Sequence, residues 1–257
     1  MDLNLCKKRV LITGASRGIG LAIADTFLQE GARVMLLART YSSLEETAAR
    51  LSALYGRSRV LFSPIDCADA SHWPTVVSTV ETAWGGVDVV VANVGDGRSV
   101  PDALPDEKHF ANVWRKNFTT AEITARATLP LLVDSSGCLL FISSIAGLEA
   151  IGAPTDYSVA KSAIIALTKQ LARKLAPKVR INCLAPGNCM FPGGSWDIRM
   201  HADPEGIKGI IDATVPMKRF GTPQEMADAA VFLCSARASF ITGACLVVDG
   251  GQTVGYF

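Results

Sequence analysis

The chain has 257 residues, 49% of them hydrophobic and 19% charged, and a formal net charge of +1. That composition supplies a sizeable core and excludes a disordered chain. With no run of five like charges, it also lacks the electrostatic footprint of a nucleic-acid or anionic-membrane binder, so a small-molecule partner is expected.

In chain order, a β-branched run over 10–13 reads as a strand, followed by Thr13-Gly14-Ala15-Ser16-Arg17-Gly18-Ile19-Gly20 and a helix over 19–29. A strand over 34–38 ends at Arg39, and a helix over 43–54 leads to a strand over 60–62 and then to Asp66 and Cys67. A helix over 73–83 precedes a strand over 87–92, Asn93, and a Gly- and Pro-rich stretch over 95–105. Next come one long helix over 108–132, a strand over 139–143 that ends beside Ser144, and a helix over 158–175. The chain closes with a strand over 179–184, Pro186-Gly187, an irregular stretch over 188–203, a helix over 223–234 and a strand over 245–248. Near-continuous apolar strands alternating with helices predict an α/β fold: one doubly wound domain over 1–257, with a seven-stranded parallel sheet and helices on both faces. Ligands of such sheets sit beyond the carboxyl ends of the strands, which makes 95–105 and 188–203 the candidate substrate loops.

Gly14, Gly18 and Gly20 stand between a strand and a helix. Glycine permits a tight turn and close approach to a pyrophosphate, while the free N–H groups and positive dipole end of the helix favour the phosphates. The spacing therefore points to a dinucleotide. At the end of the second strand, where a carboxylate would bind a ribose 2′-hydroxyl, the sequence reads Leu36-Leu37-Ala38-Arg39-Thr40. Arg39, with Arg17 and Ser16, suits a 2′-phosphate instead, so NADP(H) is favoured over NAD(H).

Tyr157 and Lys161, at i and i+4, share one helix face, and Ser144 stands at the carboxyl edge of the strand just upstream. The pair alone is a weak signal; Ser144 strengthens it. Reduction of a ketone leaves an alkoxide that needs a proton, and a tyrosine hydroxyl is a poor acid or base near neutral pH until a cation lowers its pKa. Lys161 and an oxidised nicotinamide supply that cation in this reading, Ser144 orients the carbonyl oxygen, and Tyr157 exchanges the proton.

Together these motifs resemble the short-chain dehydrogenase/reductase family, a Rossmann-fold group of oxidoreductases, from about Lys8 to Gly251. Thr13 to Gly20 is similar to its TGxxxGIG turn and Tyr157 to Lys161 to its YxxxK. The resemblance implies that Asn117 kinks a helix and holds a water in a proton relay. It also implies that Pro186 and Gly187 approach the nicotinamide, and that Asp66, with Cys67, neighbours the adenine. Asn93 and Gly95 retain part of the family's N-N-A-G, whereas Ala92 and Val94 depart from it and predict local repacking. Asn188-Cys189-Met190-Phe191-Pro192 replaces the usual Val and Thr positions, with Met190, Phe191 and Trp196 expected to cover the substrate. A homotetramer, or a homodimer, is implied as well.

The expected activity is interconversion of a ketone and a secondary alcohol. A 3-oxoacyl thioester on acyl carrier protein is the rival substrate, although 131–136 carries no basic residue to meet an acidic carrier. From another class, a non-catalytic NADP(H) sensor would have no reason to keep Ser144, Tyr157, Lys161 and Asn117 together. Seven scattered cysteines without a C-x-x-C pair fit a reducing cytoplasm better than a disulfide framework. No metal site is expected from His72, His109 and His201, and Cys189 is expected to be a small apolar filler. No apolar stretch approaches the roughly 18 residues that span a bilayer, and the start is expected to carry no signal peptide.

Overall fold

A computed structural model of the chain describes residues 2–255. In chain order it runs β1 (Arg9–Thr13), α1 (Gly18–Gln29), β2 (Arg33–Ala38), α2 (Tyr41–Tyr55), β3 (Val60–Pro64), α3 (Trp73–Trp84), β4 (Val89–Ala92), α4 (Glu107–Trp114), α5 (Thr120–Ser135) and β5 (Cys138–Ile142). It continues with α6 (Thr155–Leu175), β6 (Arg180–Pro186), α7 (Ser195–Ala202), α8 (Pro204–Thr214), α9 (Pro223–Cys234) and β7 (Cys245–Val248).

All seven strands pair in parallel in the order β3-β2-β1-β4-β5-β6-β7. Successive side chains on a strand face opposite ways, so each strand feeds two cores. Val10 and Ile12 of β1 pack with Ile23 and Phe27 of α1 and Met226 of α9, while Leu11 packs with Val76 of α3 and Ala121 of α5. These strands are therefore apolar over most of their length, as in sheets covered on both faces. Each fully buried Leu, Ile or Phe contributes about 1.5–3 kcal/mol before the entropy of ordering it is counted. At β1 the strand order reverses, and the crevice beyond the carboxyl ends of β1 and β4 is where such sheets place ligands.

Two segments differ from the sequence reading. The helix expected over 108–132 is interrupted: α4 and α5 are joined by a wider π turn at Arg115–Thr119. Its cause is Asn117, whose Nδ2 donates to Val113 O at 3.0 Å and to Asp96 O at 3.1 Å, inserting a side-chain amide into the helical hydrogen-bond ladder. The stretch 188–203 is not wholly irregular, for α7 begins at Ser195 and α8 follows at once, started by Pro204 with Asp203 Oδ1 accepting the Gly206 N–H at 2.9 Å. No helix among the described residues is long and apolar enough to cross a membrane.

Candidate active site

The carboxyl ends of the strands open into a cleft of about 1340 Å³. At one end of it lies the glycine turn. Gly14 and Gly18 adopt positive φ values of 67° and 58°, and α1 begins with no side chain capping its first N–H groups. A side chain at Gly20 would start 2.4 Å from Gly14 O and 2.5 Å from Asn93 Nδ2, so the turn closes only around glycine there. Asn93 holds it to β4 by donating through Nδ2 to Thr13 O at 3.0 Å and Gly14 O at 3.2 Å. Beside Ala92, bracing falls to Thr13, whose hydroxyl oxygen accepts from Asn93 N at 2.9 Å. A compact turn with unsatisfied, positively polarised N–H groups fits a pyrophosphate.

Around the turn, Gly14, Ser16, Arg17, Ile19, Arg39, Asp66, Cys67, Asn93 and Gly95 all line the cleft, but Gly18 and Gly20 do not. The ring of Phe191 lies on Gly18, 2.7–3.0 Å from where a β-carbon would stand. Arg17 reaches the same segment, donating from Nη1 to Gly193 O at 3.1 Å, so its guanidinium is partly engaged. Arg39 is exposed at the rim, and no carboxylate lies within 4 Å of it among the described residues. Asp66 pairs with Arg115 at 2.9 Å. The Cys67 thiol is buried and pushed up to about 12 by desolvation, leaving it uncharged.

Further along the cleft stand Ser144, Tyr157, Lys161, Pro186 and Gly187. Ser144 follows β5, and its Oγ accepts the Ala146 N–H at 3.1 Å, which leaves its own proton free to donate. Tyr157 and Lys161 lie one turn apart on α6, with Lys161 Nζ 5.6 Å from the centre of the Tyr157 ring. Ser143 anchors that helix by donating to Lys161 O at 2.8 Å. Lys161 is only 2% exposed and gives one hydrogen bond, to Ile142 O at 3.0 Å. Burial lowers its pKa to about 8. Burial also raises the Tyr157 pKa, opposed by the Ser144 hydroxyl and reinforced by the Asp96 charge. Both groups are thus held towards their neutral forms. Gly95 gives the lysine room, since a β-carbon there would lie 2.9 Å from Nζ and 3.0 Å from Asn117 Oδ1.

The fully buried Asn117 uses its side-chain oxygen to accept the Asp96 N–H at 3.1 Å, which ties the loop after β4 to the π turn. Of the expected covering residues, Phe191 and Trp196 line the cleft. Met190 does not; its segment is bridged to Gly221 through Cys189, and Met190 N donates to Gly221 O. The Cys189 thiol is 8% exposed and pushed up to about 12 by burial, as suits a packing role. Ser99, His109 and Asp156 meet beside Tyr157, and the Asp96 charge also acts on it; the sequence marks Asp96 and Ser99 only as part of a candidate substrate loop and gives His109 and Asp156 no site role. Among the described residues no cluster of potential metal ligands occurs.

A family model described as enoyl-(acyl carrier protein) reductase matches residues 14–253. The chain is 35% identical over 257 residues to a 3-oxoacyl-acyl-carrier-protein reductase of Chlamydia muridarum, covering 98% of this chain and 100% of that one. It is 33% identical over 257 residues to a short-chain dehydrogenase/reductase of Arabidopsis thaliana, covering 95% and 94%. Among solved structures, L-sorbose reductase from Gluconobacter frateurii, complexed with NADPH and L-sorbose, superposes with a TM-score of 0.91 at 32% identity, over 99% of this chain and 100% of that one.

Proposed function

The chain belongs to the short-chain dehydrogenase/reductase family, and from that premise we propose that it transfers hydride between NADP(H) and a ketone or secondary alcohol. One observation carries the reading: Gly14, Ser16, Arg17 and Ile19 of the glycine turn and the Ser144, Tyr157 and Lys161 side chains line a single cleft. Gly14, Ser16, Gly18, Ile19 and Gly20 would hold the pyrophosphate through α1, with Asn93 and Gly95 beside them. Asp66 and Cys67 would border the adenine, Arg39 would meet the 2′-phosphate with Arg17, and Pro186 and Gly187 would flank the nicotinamide. When bound, that nicotinamide supplies or accepts the hydride.

The protein's own residues manage the oxygen. Ser144, oriented by the Ala146 N–H that its oxygen accepts, has its own proton to donate to the carbonyl oxygen. Tyr157, held neutral by burial, keeps a proton to give to the developing alkoxide, and in the oxidative direction accepts one. Lys161 in its charged form favours the tyrosinate left behind. Asn117 supports the same region by fixing Asp96 and the loop across the site. Because the Lys161 pKa is depressed to about 8, its charge is present below that pH and lost above it. In the reductive direction kcat/KM is therefore expected to decline as pH rises through about 8; a profile flat to pH 10 would remove Lys161 from the proton chemistry.

The cofactor assignment is tested by comparing NADPH and NADH consumption against sugars, cyclic ketones, keto acids and acyl thioesters, in the unaltered chain and in Arg39→Asp. A charge-assisted pair is worth about 1.5–3 kcal/mol, so Arg39→Asp is expected to lower kcat/KM for NADPH by about 10–100-fold and spare NADH. An unchanged ratio would discard the phosphate role. The same panel addresses a second reading, reduction of a 3-oxoacyl thioester, which the chlamydial relative favours. Turnover confined to acyl thioesters would select it.

A further inference from the structure

Three side chains from separate segments meet beside Tyr157. Asp156 lies in the first turn of α6 with no exposed surface. Its Oδ1 accepts the Tyr157 backbone N–H at 2.8 Å, and its Oδ2 accepts the Ser99 hydroxyl at 2.7 Å. Ser99 Oγ is 3.0 Å from His109 Nε2 on α4, and that nitrogen is 3.6 Å from Asp156 Oδ2. Ser99 has one proton and gives it to the carboxylate, so His109 carries a proton on Nε2 and donates it to Ser99. The buried carboxylate is satisfied by these donors and by its place at a helix N-terminus. This is no nucleophile relay, because the carboxylate takes the serine proton directly instead of orienting the imidazole against it.

Ser99 belongs to the segment that crosses the tyrosine. A β-carbon on Gly97 would lie 3.7 Å from Tyr157 Cζ and 4.0 Å from its hydroxyl oxygen, so the backbone there runs alongside the phenol. One residue earlier, Asp96 exchanges backbone hydrogen bonds with the Asn117 side chain. The segment is thus fastened at Asp96 to the π turn and at Ser99 to α6, with Gly97 held against the ring between them.

Resting on the reading of Tyr157 as the proton-transfer group, we propose that Asp156 is a positioning residue that latches 96–99 across the Tyr157 ring through Ser99. The latch sets the phenol and one wall of the carbonyl pocket together. Any displacement of the loop then moves the wall and the proton donor as one unit.

The test is amide hydrogen exchange over 95–105 in the full chain and in Ser99→Ala and His109→Gln, with 205–214 as the internal reference. NADPH affinity and carbonyl kinetics follow on the same proteins. Losing one hydrogen bond to a charged group is expected to raise exchange over 95–105 about tenfold in Ser99→Ala and to lower kcat by a similar factor, with the NADPH Kd within about twofold. His109→Gln, whose amide donates in place of Nε2–H, should keep the loop protected. Unchanged exchange in Ser99→Ala overturns the latch, and raised exchange with unaltered kcat and KM overturns its hold on Tyr157. Raised exchange in a protein that reduces no carbonyl sustains the latch and removes the reductase reading instead.

Discussion

Tyr157→Phe is expected to lower kcat for carbonyl reduction by about 10²–10⁴-fold, the usual range for a lost general acid, while leaving NADPH affinity within about twofold. The substitution removes one oxygen and keeps the ring. The aromatic face beside Gly97 is unchanged, and so is the backbone N–H received by Asp156. Lys161 keeps its hydrogen bond to Ile142 O, and α6 keeps its anchor at Ser143. What disappears is the proton that burial holds on the phenol. Because the hydroxyl acts on developing charge, its removal should appear in kcat more than in KM. The measurement is steady-state NADPH consumption with whichever carbonyl the panel selects, beside a direct NADPH titration of both proteins. Retention of more than about a tenth of the turnover would reassign the proton donor, and loss of NADPH binding would mean the variant had disturbed the fold.

The second large effect is expected from Gly20→Ala. Its new methyl would lie 2.4 Å from the backbone oxygen of Gly14 and 2.5 Å from Asn93 Nδ2, a side-chain amide held by two carbonyls. Relief requires the Asn93 amide to leave the Thr13 and Gly14 carbonyls, which undoes the link between the turn and β4. Overpacking of this kind costs about 1–3 kcal/mol and should lower the Tm by several degrees. The displaced N–H groups should weaken NADPH binding by more than about tenfold. Thermal unfolding and NADPH titration check the two effects separately. Gly209→Ala is the control, since it lies in α8 with open space around it and should be neutral or slightly stabilising. A Gly20→Ala protein that melts and binds like the control would mean that the turn has slack.

The sheet was legible because burial on both faces leaves the central strands almost wholly apolar, as in Val10-Leu11-Ile12 and Leu139-Leu140-Phe141. Tyr157 and Lys161 were legible because helical spacing fixes their common face before any tertiary contact is known. By contrast α7 follows Pro192-Gly193-Gly194, which read as breakers, and it buries no residue fully that could create an apolar stripe. The interruption of the 108–132 helix had a local mark in Asn117, but its cause lies partly in Asp96, on another segment. Arg17 suggested a phosphate contact by position, while its bond to Gly193 O depends on where a loop 176 residues later returns. Ser99, His109 and Asp156 were silent for the same reason. Asp156 adjoins Tyr157, but nothing in its spacing to Ser99 or His109 marks a pairing, which arises only when α4, α6 and the loop after β4 converge.

The placement of β1 between β2 and β4 also carries a consequence for biosynthesis. The carbonyls of Thr13 and Gly14 emerge early, yet Asn93, which fastens them, is made 79 residues after Gly14. At about 5–20 residues per second, translation separates the two by roughly 4–16 s. Through that interval the turn is a bare strand-to-helix bend with half its frame missing. A nascent chain therefore completes the frame of this turn only after β4 has been synthesised and docked, whatever the ligand concentration around it.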